Sequence, residues 1–140
     1  GYIGAAQGNA AFDSEGWVHS GDLASVDERG FVMLRGRQKD MYIQGGYNVY
    51  PAEVESLISR FPGVAMVAGI GVADPVLGEV GRYFIVTQPG AAVDLHALRD
   101  FCAQNLADYK VPRQFELRSD LPLTPAGKIQ KAALRSEPGV

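Results

Sequence analysis

Residues 51–61, PAEVESLISRF, constrain this chain more than any other stretch. Pro51 suits the first position of a helix, where its fixed φ is already helical and its missing N–H is not needed. Val54, Leu57, Ile58 and Phe61 then fall at the i, i+3, i+4, i+7 spacing of one buried face, and Pro62-Gly63 stops the helix. A helix with one apolar face must lie on something apolar. The following runs supply it: residues 64–73, VAMVAGIGVA, and 82–88, RYFIVTQ, are apolar and β-branched enough to be strands of a partly covered sheet. Asp94 is placed to cap a second helix through about Leu106, with Val93 and Leu98 set for a hydrophobic staple. After the loop ADYKVPR, the run QFELRS reads as a further strand and GKIQKAALR, residues 127–135, as a closing helix. From residue 40 the order is α, β, β, α, β, α. This predicts a small α+β fold in which helices cover one face of a short sheet.

The first forty residues read differently. GYIGAAQGNAAFDSEG is rich in Gly and Ala without a period, which predicts irregular structure. WVHSGDLASVDERGFVMLRGR gives two extended runs around Asp27-Glu28-Arg29-Gly30, with a glycine where positive φ is wanted, and so predicts a β-hairpin. Gly36-Arg37-Gln38-Lys39-Asp40 carries three charges, one glycine and no apolar side chain. It is either a boundary between the hairpin and a helix-bearing domain or a plain surface turn. The stretch QKDMYIQGGYNVYP is polar at its start and broken by Gly45-Gly46.

Other features exclude function classes. A net charge of -3 over 140 residues argues against a nucleic-acid or anionic-membrane surface. No run approaches the length of a membrane span, and the first residues show no charged start followed by an apolar core, so the expected location is cytoplasmic. The one cysteine, Cys102, permits no internal disulfide and falls on the helical stripe of Leu95, Leu98 and Leu106, as a core residue would. His19 and His96 stand far apart, leaving no metal cluster, with His96 expected at the surface. Gly127-Lys128 at a helix entrance invites comparison with a phosphate-binding loop, but that loop needs a glycine where this chain has Pro122 and a Ser or Thr where it has Ile129. Lys128 is therefore either a plain solvated lysine or a charge carried on an exposed loop for another purpose.

Four short motifs decide between such alternatives by their order: Gly-Asp at 21–22, Gly-Arg-x-Lys-Asp at 36–40, Gly-x-Asn-Val-x-Pro-x-Glu-Val-Glu at 46–55 and Pro-x-Gly-Lys at 125–128. In this order they resemble the C-terminal part of the acyl-adenylate-forming superfamily, which contains acyl- and aryl-CoA synthetases, firefly luciferase and peptide-synthetase adenylation domains. The likeness runs from roughly Gly1 to Arg135. It implies an ATP-dependent ligase in which a carboxylate attacks the α-phosphate to give acyl-AMP and pyrophosphate, and a thiol then displaces AMP. It also implies a division at 36/37, with residues 1–36 the last hairpin segment of a large adenylating domain and 37–140 a small mobile C-terminal domain. The phosphate-gripping Ser/Thr/Gly-rich loop, the acyl pocket and the binding of Mg2+ are then expected upstream, so this chain alone should be inactive.

The resemblance assigns a role at each matched position. Asp22 falls where the family's aspartate takes the ribose hydroxyls of ATP, a task suited to an acceptor-only carboxylate; the alternative is an Asp capping a turn after Gly21. Arg37 matches a second ribose contact, and otherwise is a surface arginine. Lys39 falls on the hinge between the two half-reactions. Gly45 and Gly46 lie on the loop that lines the family's pantetheine tunnel, although Gly-Gly is also a common turn. Lys128 matches the catalytic lysine delivered for adenylation, where an ammonium stabilises charge around the α-phosphorus. Lys110 and Arg113 are either contacts for CoA phosphates or solvated charges. The segment GGYNVYPAEVE is similar to bacterial fatty-acyl and related CoA synthetases, implying a fatty or other carboxylic acid, ATP and CoA as substrates, the upstream domain of the same chain as partner, and room for a homo-oligomer. Two readings stay open beside it: an enzyme loading a carrier-protein thiol, and a non-catalytic interaction module that kept the fold.

Overall fold

The computed structural model describes residues 12–137, so most of the expected irregular opening, residues 1–11, lies outside the described residues. The chain divides into two compact units between Lys39 and Asp40. In the first, β1 (Asp22–Val26) and β2 (Val32–Arg37) form the antiparallel hairpin that the sequence predicts. Asp27 Oδ1 accepts the amides of Arg29 and Phe31 across the turn, and Gly30 takes φ +82°, a conformation that costs a glycine little. Pairing continues to Asp22 opposite Arg37, so the hairpin extends past residue 36 and the unit ends at Lys39. Trp17, Phe31, Val32 and Leu34 are all exposed, Leu34 at 76%.

The second unit is built on a five-stranded sheet with β6 (Gly78–Thr87) as its spine. β5 (Val64–Asp74) pairs antiparallel along one side of β6. On the other side β7 (Gln114–Arg118) runs parallel to residues 82–86, and Gln44 bridges Gly78. The short strands β3 (Tyr42–Gln44) and β4 (Tyr47–Val49) continue the sheet. These two strands were not expected; at three residues each, they are too short for an alternating pattern to show. β6 also begins at Gly78, four residues before the expected start, because its first residues pair back onto Ala73 and Asp74.

α1 (Pro51–Ile58) and α2 (Leu95–Asn105) pack on one face of this sheet. Val54 and Ile58 are fully buried while Leu57 and Phe61 are partly buried against them, the stripe that the spacing predicts. Asp94 caps α2, its side chain accepting the amides of His96 and Ala97, and Val93 and Leu98 are both buried. Cys102 is buried beside them, and burial pushes its thiol up to about 11. His96 is exposed.

Helices cover both faces, however, not one. Residues 66, 68, 70 and 72 of β5 and 80, 84 and 86 of β6 point away from α1 and α2 into a second cluster with Leu121, Ile129 and Leu134. Leu134 belongs to the closing helix α3, which spans Lys131–Arg135. The expected start at Gly127 is therefore four residues early. The amides of Gly127, Lys128 and Gln130 are taken by Thr124 and Pro122, so the chain there closes a turn instead of a helix.

Two tyrosines explain the strand glycines. Tyr42 of β3 and Tyr83 of β6 are fully buried under α1 and α2, with hydroxyls 3.4 Å apart. They lie so close to the sheet that a Cβ at Gly69 would fall 2.2 Å from the Tyr83 ring, one at Gly71 2.3 Å from Tyr42 Cβ, and one at Gly81 2.2 Å from Tyr42 Oη. Glycine in a strand interior marks such a close approach.

Candidate active-site elements

Lys128 is exposed on a turn that the chain closes at several points. Thr124-Pro125-Ala126-Gly127 form a β-turn, Gly127 donating its amide to Thr124 O at 2.8 Å, with proline and glycine at the positions that such turns favour. Thr124 also donates its own amide to Lys128 O at 2.7 Å, and its Oγ1 accepts the Lys128 amide at 3.0 Å. Outside this turn Leu123 bridges Ile129, and Gln130 donates to Pro122 O at 2.8 Å. The base is buried through Leu121. The backbone of Lys128 is thus held, while its ammonium is left in solvent.

Gly45 and Gly46 make the two-residue turn between β3 and β4, with φ of +58° and +87°. Positive φ at both central residues is the hairpin turn whose twist matches its strands, and glycine adopts it at little cost. Gln44 fixes this turn to the rest of the unit. It is 2% exposed; its Nε2 donates to Tyr109 O at 2.8 Å and its Oε1 accepts the Gly81 amide at 3.1 Å. Tyr47 stacks on Tyr109 with ring centroids 4.6 Å apart. Beside this turn opens a cavity of about 160 Å³ lined by Gln44, Gly45, Tyr47, Leu77, Tyr109 and Arg113, among others. Lys110 does not join it as a loose charge: its ammonium grips both oxygens of Glu53, at 2.7 and 2.8 Å.

In the first unit the hairpin register sets Asp22 opposite Arg37, and Arg37 Nε lies 3.4 Å from Asp22 Oδ1. Gly21 O accepts the amide of Gln38 at 2.8 Å, and a groove of about 380 Å³ is lined by Ser20, Gly21, Arg37, Gln38 and Lys39. Asp22, Arg37 and Lys39 belong to this unit, and Gly45, Gly46 and Lys128 to the other. Among the described residues no three His, Cys, Asp or Glu side chains group as metal ligands, and no helix is long and apolar enough to cross a membrane.

Residues 53–128, more than half the chain, match the model of the AMP-binding enzyme C-terminal domain. The chain belongs to this family. It is 48% identical over 125 residues to a 7a-methyl-1,5-dioxo-octahydro-1H-inden-4-yl propanoyl:CoA ligase of Rhodococcus jostii, an alignment covering 89% of this chain and 24% of the relative. Against a long-chain-fatty-acid–CoA ligase of Salmonella typhimurium the identity is 43%, over 88% of this chain and 22% of the relative. Among solved structures, o-succinylbenzoate CoA synthetase from Bacillus subtilis, in complex with its acyl-adenylate intermediate, superposes with a TM-score of 0.84 at 35% identity, covering 93% of this chain and 26% of that one. The chain spans about a quarter of the length of the curated relatives it matches.

Within this AMP-binding enzyme C-terminal domain, several residues that the sequence reading passed over position the ones it chose. Glu55, seen only as part of a motif, accepts the Gly69 amide at 2.6 Å on the outer edge of β5 and pairs with Lys131 at 2.7 Å. Glu53 holds Lys110, Gln44 holds the glycine turn, and Thr124 holds Lys128. Their signal was available in part: Thr124 opens a Thr-Pro-Ala-Gly turn, and Lys131 and Arg135 share a helix face at i, i+4. What such an arrangement can do chemically is present a solvent-exposed ammonium from a fixed backbone on one turn and a small, glycine-edged cavity at another.

Proposed function

We propose that this chain serves as the C-terminal part of an ATP-dependent, AMP-forming acyl-CoA ligase acting on a carboxylic acid, with a fatty acid as the substrate class. The observation that carries this reading is Lys128, exposed on a closed turn, in a domain of the AMP-binding enzyme family. The exposed apolar side chains of Phe31, Val32 and Leu34 support an upstream domain of the same chain that covers the hairpin.

In the first half-reaction a carboxylate oxygen bonds to the α-phosphorus of ATP, the bond to the β-phosphate oxygen breaks, and pyrophosphate leaves. Negative charge accumulates on the α-phosphoryl oxygens while the nucleophile is itself an anion. The Lys128 ammonium stabilises both without transferring a proton or forming a bond. Asp22 accepts the two vicinal ribose hydroxyls and Arg37, already paired with it, adds donors to the same sugar. Magnesium, when bound, would screen the charge of the phosphates. In the second half-reaction the CoA thiol attacks the acyl carbonyl, the bond to the AMP oxygen breaks and AMP leaves. Rotation at Lys39 brings the Gly45-Gly46 turn to the pantetheine arm, with the cavity at Tyr109 and Arg113 beside it.

The complete chain with ATP, Mg2+, a fatty acid and CoA should yield one pyrophosphate and one AMP for each acyl-CoA. Product found only on a carrier-protein thiol would move the acceptor, and no pyrophosphate with any carboxylic acid would overturn the reading.

A further inference from the structure

Asp40 is the first residue of the second compact unit and follows directly on Lys39. Its side chain is only 14% exposed, and Oδ1 lies 3.0 Å from Nη2 of Arg135 in α3. That helix has five residues, far below the length at which a helix persists by itself in water. Tertiary contacts therefore decide where it lies. Leu134 anchors it in the core, and two ion pairs hold the face with residues one turn apart, Lys131 to Glu55 and Arg135 to Asp40. The Lys128 turn runs straight into this helix, closed by the bond from Gln130 to Pro122. What fixes α3 fixes the mount of Lys128.

The two arms of the unit connect differently to Lys39. From Asp40 the chain passes through Met41 into β3 and reaches Gly45 along one strand. The Lys128 turn lies at the far end of the sequence, and an ion pair from Arg135 joins that end to Asp40. We propose that the Asp40–Arg135 pair is a brace that converts backbone rotation at Lys39 into placement of Lys128, which makes both residues positioning residues for adenylation. The inference rests on the reading above, in which Lys39 is the pivot and Lys128 serves the first half-reaction. Breaking the brace leaves the Gly45-Gly46 turn attached to the pivot through β3 and loosens the arm that carries the cation. It also leaves a largely buried carboxylate without its partner, a state that favours rearrangement of α3.

The test uses the complete chain and measures the two half-reactions separately: pyrophosphate release from ATP and fatty acid, then thioester formation from supplied acyl-adenylate and CoA. Asp40→Asn and Arg135→Met should each slow the first about 10- to 100-fold, as small misplacements of a catalytic group do, and leave the second near the parent rate. Arg135→Lys, which keeps the positive charge that pairs with Asp40, should retain most of the first rate. Arg135 is a third exposed, so its variants keep the test open where Asp40→Asn disturbs folding. Equal losses in both half-reactions, no loss in either, or an Arg135→Lys as slow as Arg135→Met overturns the brace. A parent chain that releases no pyrophosphate with any acid overturns the ligase reading and the brace with it, an outcome distinct from a missing split in an active parent.

Discussion

The hydroxyl of Thr124 lies 3.0 Å from the backbone nitrogen of Lys128 and accepts its hydrogen bond. Three residues separate the two, and within the turn the Gly127 amide donates to Thr124 O. Thr124→Val keeps the shape of the side chain and removes the acceptor. One intramolecular hydrogen bond is worth about 0.5–1.5 kcal/mol, so acyl-AMP formation by the complete chain should fall roughly 3- to 10-fold. Thioester formation from supplied acyl-adenylate should be unchanged, and stopped assays of each half-reaction check it.

Lys128→Ala should be far more severe on the same step. Removing one well-placed electrostatic contact costs about 100- to 1000-fold in the step that uses it, while the second half-reaction should be largely spared. Equal loss in both would count against a lysine that serves adenylation only. Acetylation of the same ε-amine removes its charge and should reproduce the alanine phenotype when installed at this position.

The strand glycines predict a stability effect without a catalytic one at their own position. Gly71→Ala would put a methyl group 2.3 Å from Tyr42 Cβ, and neither the strand nor Cβ of a buried tyrosine can move aside cheaply. Overpacking of this kind costs about 1–3 kcal/mol. Urea unfolding should show a lowered midpoint for Gly71→Ala, with an unchanged slope if the fold is kept.

How much of this was legible in the sequence depends on how local each signal is. Pro51, Asp94 and the Asp27–Gly30 turn carry their meaning within a few residues, and the elements they open or join are where those residues predict. β3 and β4 are strands because Tyr42 packs over Gly71 and Gly81 and Gln44 bonds to Gly81 and Tyr109, all of them distant in sequence. The start of α3 was misplaced because Gly-Lys-Ile-Gln reads as helical until the Thr124 hydroxyl and the Pro122 carbonyl take its amides. The second covered face escaped notice because Leu121 and Ile129 lie outside any helical period. For the site, motif order singled out Lys128, but nothing in that order shows the contacts of Glu55, Asp40 and Arg135 that mount it.

Tyr42 makes stability depend on alkaline pH. Burial, opposed in part by its hydrogen bond with Tyr83, raises its hydroxyl from 10.0 to about 12. The fold therefore favours the neutral phenol: this contribution is complete below pH 10 and is lost as pH rises from 10 toward 12. The loss is on the order of 3 kcal/mol. Tyr42→Phe should flatten the fall in unfolding free energy across that window, and tyrosinate absorbance should rise later in the folded chain than in urea.

Lys39 gives the sharpest test of the two-step cycle, because a pivot depends on backbone freedom more than on side-chain chemistry. It is exposed, lies in the 3-10 turn Gln38–Asp40, and is the last residue before the division between the two units. An exposed charge contributes at most about 1 kcal/mol through its surface contacts, so Lys39→Ala should be mild in both half-reactions. Lys39→Pro acts on the backbone: it fixes φ near about -65° and moves Gln38 away from the helical region. If the small domain must turn at this residue to present Lys128 in one step and Gly45-Gly46 in the other, the proline variant holds one orientation. Adenylation should stay near the parent rate while thioester formation falls by orders of magnitude. Measuring both half-reactions on the two variants of the complete chain decides the matter: proline slowing both steps alike, or alanine doing as much harm as proline, would remove Lys39 as the pivot.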